Sequence, residues 1–251
     1  MKKIPETDAI FEQVAKVNAA TDADETALRL SVDAKGTILL GHLSRGGYNR
    51  VVVKALDHDF RPDEKVTPVG VFLPKSNEMF IFLTNGPVTA DLIVDCIHDV
   101  WVDLEDRFSQ VKTLVINQDN GPECHSRRTQ FMKRLTELAD TFQLTVQLAY
   151  YPPYHSKYNP IERVWGVLES YWRGNLLDTL ETVVHFAGNM TYNGIHPAVN
   201  VVKTTYHTGV KLTKSAMDEL EKRFERLPDL EKWFVCIRPI PLHHLYGLLF
   251  F

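Results

Sequence analysis

Apolar positions along this chain change their period several times, and each change marks an element. Ile10, Phe11, Val14 and Val17 fall at helical spacing and predict a short amphipathic helix, followed by a polar link from Asn18 to Thr26. Leu28-Arg29-Leu30-Ser31-Val32-Asp33 alternates apolar and polar, the pattern of a strand, and Gly36 turns the chain after it. Further strands are expected at Thr37 to Leu43 and Val51 to Leu56, around a Gly46-Gly47 turn. Val66 to Leu73 and Met79 to Leu83 read as a hairpin. The period becomes helical from Thr89 to Phe108. Lys112 to Gln118 is a continuous apolar strand of the buried type, Ser126 to Gln143 an amphipathic helix, and Leu144 to Ala149 the next strand. Pro152-Pro153 ends that run, and Asn159-Pro160 starts a helix, with Asn as N-cap and Pro at the first helical position. Helices from Leu180 to Tyr192 and from Lys214 to Arg226 complete the pattern.

Antiparallel strands followed by helix, strand, helix, strand, helix is the order of the ribonuclease H-like fold, an α/β class with a mixed sheet and helices on both faces. The expected division is a helix and linker over residues 1–27, the α/β domain over 28–192, and a C-terminal helical extension with an apolar tail over 193–251. In that topology the strand ends at Asp33 and Asp119 lie side by side, facing the start of the helix that carries Glu162. Three carboxylates without a basic partner repel one another, and a hard divalent cation, Mg2+ or Mn2+, relieves the repulsion. Two such ions about 4 Å apart can bridge one phosphate, activating the attacking oxygen and stabilising the leaving one. That is chemistry for cutting and joining phosphodiesters.

Each carboxylate alone has a plainer reading. Glu162, three residues after Asn159, closes a capping box; Asp119-Asn120-Gly121 is an ordinary turn; Asp33 ends a strand. It is the combination that points to a site. Asp91, Asp95, Asp99 and Asp103, by contrast, recur opposite an apolar stripe and read as a solvated helix face.

The chain carries 28 Lys plus Arg against 32 Asp plus Glu, a net charge of −4, which argues against a generally adhesive nucleic-acid binder but not against a local basic groove. Arg127, Arg128, Lys133 and Arg134 form an acid-free run, Arg163 adjoins Glu162, and Lys157 lies among Tyr150, Tyr151, Tyr154 and Tyr158. These residues are candidates to hold phosphates, and the tyrosines to stack on unpaired bases, although a solvated helix start and ordinary packing explain the same residues. Three cysteines without close spacing suggest reduced thiols in a cytoplasmic protein. The apolar stretch after Trp233 is broken by Arg238, Pro239 and Pro241, short of the ~20 residues a membrane span needs.

Asp119 to Glu123, DNGPE, and Tyr150 to Trp165, YYPPYHSKYNPIERVW, resemble the second and third catalytic motifs of DDE transposases, in the group that includes mariner-like elements. With KKIPETDAIF near the start, SRRTQFMKRL and WRGNLLDTLETVV, the chain from Lys2 to Phe234 resembles the Rhodopirellula-type transposases of bacterial insertion sequences. The resemblance implies an integrase-like catalytic domain with Asp33, Asp119 and Glu162 as triad and metal ligands. It also implies DNA transposition on transposon ends and target DNA by a homodimer or higher oligomer in the bacterial cytoplasm. A ribonuclease H-like nuclease without strand transfer, or an inactive truncated remnant that only binds DNA or a partner, are the alternatives. Glu162 follows Asp119 by 43 residues, a wider spacing than in many related transposases. Relatives carry helical DNA-binding segments before the catalytic domain, whereas this chain opens almost directly on it, so a catalytic part without its end-recognition part is expected. The tail from Ile237 to Phe251 has no counterpart in the family pattern and is expected to pack loosely.

Overall fold

The computed structural model describes residues 3–46 and 64–241. The strand expected at Val51 to Leu56, the Gly47 half of its turn and the tail beyond residue 241 lie outside the described residues. Helix α1 (Thr7–Ala23) leads into strand β1 (Ala27–Ala34), the short β2 (Ile38–Leu39), and the hairpin of β3 (Lys65–Leu73) and β4 (Glu78–Thr84). Then follow α2 (Ala90–Leu104), β5 (Thr113–Gln118), α3 (Thr129–Phe142), β6 (Thr145–Tyr150), α4 (Ile161–Trp172) and α5 (Leu180–Asn189). The chain continues through β7 (Ala198–Val201), α6 (Lys214–Glu221), β8 (Phe224–Arg226) and β9 (Phe234–Ile237).

The strands form one mixed sheet in the order β7-β4-β3-β1-β5-β6-β9-β8, with β2 paired to β3. β1 is antiparallel to β3 and parallel to β5, and β5 is parallel to β6. This is the ribonuclease H-like arrangement expected from the element order. Pleating sends alternate residues to opposite faces. Val69, Val71 and Leu73 of β3 join the cluster that takes in α2 and α3, while Phe72 joins the cluster under α4 and α5. The central β5 is buried from Leu114 to Gln118, as its unbroken apolar run required. Among the described residues no helix is long and apolar enough to cross a membrane.

Four expectations about elements change. The link from Asn18 is helical as far as Ala23, because Thr21 stays on the buried face and its hydroxyl bonds Val17 O at 2.7 Å. Residues 193–251, expected as a helical extension, supply three strands of the same sheet. β7 pairs in parallel with β4, while β9 pairs with β6 and β8. The helix expected from Lys214 to Arg226 ends at Glu221, since Phe224–Arg226 pairs with β9 and the Arg226 guanidinium is held by Glu221, Ser126 O and Glu231 O. The start of the tail expected to pack loosely is packed: Ile237 is buried, and Ile240 N–H donates to Asp140 Oδ1 at 2.8 Å.

Asn159 does not cap α4. The helix has no cap bond from its own N-cap, Pro160; instead the Ile161 N–H donates to Ser31 Oγ, 3.0 Å away on β1. The Ser31 hydroxyl donates in turn to Asn159 Oδ1 at 2.5 Å, and Asn159 Nδ2 donates to Val32 O at 3.1 Å. All of these groups are buried. Ser31→Ala therefore strands a buried N–H and a buried amide oxygen, and should lower unfolding free energy by about 1–3 kcal/mol in urea denaturation. A change within a few tenths of a kcal/mol would show that the joint contributes nothing.

Candidate active site

Neighbouring parallel strands bring the two aspartates to one edge. In the β1–β5 ladder Ser31 lies opposite Asn117, so Asp33, near the end of β1, and Asp119, just past the end of β5, each two residues further on, lie side by side. The Ser31–Asn159 joint seats the first turn of α4 at the same edge, with Glu162 in that turn. The Asp33 carboxyl lies within electrostatic reach of both Asp119 and Glu162. Burial, followed by those two charges, pushes it up to about 7 against the opposing effect of a hydrogen bond from Trp165. That bond, from indole Nε1–H to Asp33 Oδ2, measures 3.0 Å.

Asp119 is also raised by burial, countered by the Gly121 backbone N–H and the Cys124 thiol. The turn that follows β5 wraps back on this carboxylate: a side chain at Gly121 would lie 3.2 Å from Asp119 Oδ1 and 3.4 Å from Cys124 Sγ. Cys124 donates to Asp119 O at 3.4 Å and is itself buried, which pushes its thiol up. A cavity of about 260 Å³ opens between the two aspartates and is walled by Val32, Val88, Ile93 and Cys124.

Among the described residues, no group of three or more His, Cys, Asp or Glu side chains is gathered closely enough to chelate an ion as it stands. The donor chemistry nonetheless fits a hard divalent cation. The carboxylates offer oxygens only, Asp33 carries the mutual repulsion, and Asn120 Oδ1, next to Asp119 in the chain, is buried without a hydrogen-bond partner.

The expected basic patch is divided. Arg134 is held by Asp91 at 2.8 Å, Asp95 at 2.6 Å and Glu137 at 3.1 Å, Arg128 pairs with Glu123, and Lys133 pairs with Glu137. The acidic stripe of α2 is correspondingly not all solvated: Asp91 and Asp95 form the seam with α3, and Tyr206 donates to Asp95. Arg127, Lys157 and Arg163 are exposed, the last beside Glu162. Of the tyrosines, Tyr150 and Tyr151 are buried, Tyr150 donating to Cys124 O at 2.6 Å, so neither can stack on a base; Tyr154 and Tyr158 are exposed. By sequence Trp165 is one more apolar position on its helix, Ser31 a polar position of an alternating strand and Cys124 one of three unpaired thiols, and none of these patterns, nor that around Gly70, signals a role at the site.

A sheet of this order, with two aspartates at the ends of adjacent parallel strands and a glutamate opening the helix seated against them, defines a ribonuclease H-like domain. The chain belongs to the Rhodopirellula transposase DDE domain family, whose model matches residues 1–239. Among solved structures it is similar to the Mos1 transposase paired-end complex with left transposon end, at 12% identity and TM-score 0.49, covering 74% of this chain and 56% of that one. The Mos1 mariner paired end complex with Mn matches at 12% identity and TM-score 0.49, over 74% of this chain and 54% of that chain. The human cytomegalovirus terminase nuclease domain matches at 10% identity and TM-score 0.28, over 90% and 88%. The chain thus spans about half the length of the Mos1 chains. No curated protein matches it by sequence.

The raised Asp33 carboxyl makes the stability of the fold depend on pH. Below pH 3.8, its ordinary value, it is protonated folded and unfolded; between there and about 7 the folded state binds the extra proton, so stability falls as pH rises. Without divalent ions, Asp33→Asn should therefore raise stability at pH 8 by up to about 4 kcal/mol, with the gain vanishing near pH 4. Thermal melts across that range check it; a gain independent of pH would refute the assignment.

Proposed function

We propose that this chain cuts a DNA phosphodiester and joins the freed 3′ end to a second DNA, with Asp33, Asp119 and Glu162 as the catalytic carboxylates and Mg2+ or Mn2+ as the ions they hold. The observation that carries the reading is the Asp33 carboxyl, which faces the charges of Asp119 and Glu162 at one sheet edge in a chain of the transposase DDE family. Divalent ions, if held there, would supply Lewis-acid polarisation of the phosphate and activation of the attacking oxygen. The chain's own residues do the positioning. Asp33 is oriented by Trp165, Asp119 by the Gly121 N–H and the Cys124 turn, and Glu162 by the joint that seats its helix. Exposed Arg163, Lys157 and Arg127 are proposed to hold backbone phosphates, a role that carries no sequence information. In cleavage, water attacks phosphorus and gives up a proton to solvent as the 3′ oxygen leaves and takes one up to become a hydroxyl; in joining, that 3′-hydroxyl attacks a target phosphate and loses its proton to solvent as the target's own 3′ oxygen leaves and is protonated.

The test is metal-dependent nicking and strand transfer on labelled duplexes. Asp119→Asn and Glu162→Gln should each lower both steps by more than ~100-fold, beyond what loss of a supporting partner costs, while the fold persists. Either variant retaining the parent rate removes that residue from the triad, and nicking without joined product would favour a nuclease. Arg127→Ala, Lys157→Ala and Arg163→Ala should weaken binding equally to unrelated sequences, each reducing the salt slope by about one ion. Arg134→Ala should instead lower the melting temperature and leave that slope unchanged.

A further inference from the structure

Asp33 and Gly70 face each other across the β1–β3 ladder. Their side-chain positions therefore lie on the same face of the sheet, the face on which α4 packs. A Cβ at residue 70 would lie 2.6 Å from Trp165 Cζ2, 2.7 Å from Cη2 and 2.6 Å from Met79 Cε. The bare backbone of Gly70 is what lets the indole lie across β3. There the ring is 3% exposed, and its Nε1–H reaches Asp33 Oδ2 at 3.0 Å. An apolar position on a packed helix needs a ring but not a donor, and this donor ends on a carboxylate.

Trp165 lies three residues after Glu162, one turn along the same side of α4. The bond therefore does two things. It engages one Asp33 oxygen, Oδ2, which fixes the rotation of the carboxyl, and it ties the turn that carries Glu162 to the strand that carries Asp33. We propose that Trp165, with Gly70 making room for it, is the positioning residue that sets the orientation of Asp33 and its spacing from Glu162 for divalent-ion binding. This rests on the reading of Asp33 as an ion ligand. Trp165 itself touches neither ion nor substrate in this role.

The experiment uses the full chain and Mn2+, with free Mn2+ counted by electron paramagnetic resonance and cleavage rate measured against Mn2+ concentration. Trp165→Phe keeps a buried ring and removes the donor; Gly70→Ala keeps the donor and displaces the ring. Each should weaken Mn2+ binding by about 10–100-fold, as loss of a ligand's supporting partner does, while the rate at saturating Mn2+ returns to within a few-fold of the parent. Asp33→Asn should abolish both the binding and the rate. If Trp165→Phe binds Mn2+ as the parent does while Asp33→Asn does not, the inference is overturned and the carboxylate reading stands. If Asp33→Asn also binds like the parent, the carboxylate reading fails. Should Trp165→Phe fold poorly, the parent still decides: of its four tryptophan indole N–H resonances, one should shift on titration with Mg2+ and fail to do so in Asp33→Asn. No shift in any of the four would overturn the proposal.

Discussion

One hydroxyl holds the site together. Ser31 accepts the first N–H of α4 and donates to Asn159, and Asn159 donates to the carbonyl of Val32, the residue just before Asp33. A helix opening leaves donors that water or a cap must satisfy. Here the proline at the N-cap brings no side-chain acceptor, and burial keeps water away. The only economical solution is an acceptor from another element, and taking it from β1 fixes the helix against the strand. The spacing of Glu162 from Asp33 follows from that joint, as does the direction of the helix dipole, whose positive end lies near the carboxylates.

That arrangement opposes stability. Burial and two like charges raise the Asp33 carboxyl, and burial raises Asp119, so the fold gathers groups that would be better solvated apart. The compensations are local and directional: an indole N–H on one aspartate, and a backbone N–H and a thiol on the other. Each satisfies part of a carboxylate without neutralising it. A lysine or arginine in the same place would remove the repulsion, but it would also spoil a donor set whose chemistry suits a divalent cation.

The elements that carry the site were legible because their signals are local. The alternation from Leu28 to Asp33, the apolar run into Asp119, and the prolines before Glu162 each determine a strand end or a helix start within a few residues. Long-range partners were not legible in the same way. Asn159 before a proline is a fair local N-cap, yet its side chain turns to β1, since Ser31 is held against it by tertiary packing. The run from Arg127 to Arg134 looks uniformly basic in sequence, but helical geometry points Arg134 at Asp91 and Asp95 across the α2–α3 seam and leaves Arg127 in solvent. Strands β7 and β9 are short, and their identity depends on the edges they cover, β4 and β6. Trp165 satisfied a helical period completely, so nothing in the pattern signalled a donor.

The division of the cations bears on how a polyanion can approach. With Arg134, Arg128 and Lys133 committed to carboxylates, the α2–α3 side presents balanced charge, and a net charge of −4 gives no general attraction to phosphate. Among the described residues, Lys157 and Arg163 are exposed cations that flank the opening of α4. If these two cations contact phosphates as proposed, they hold a strand weakly but set its height over the sheet edge. The same helix start is fixed to β1 by Ser31 and to Asp33 by Trp165. The proposed phosphate contacts and the carboxylates are thus referred to one element, so a shift of α4 would displace both together rather than one against the other.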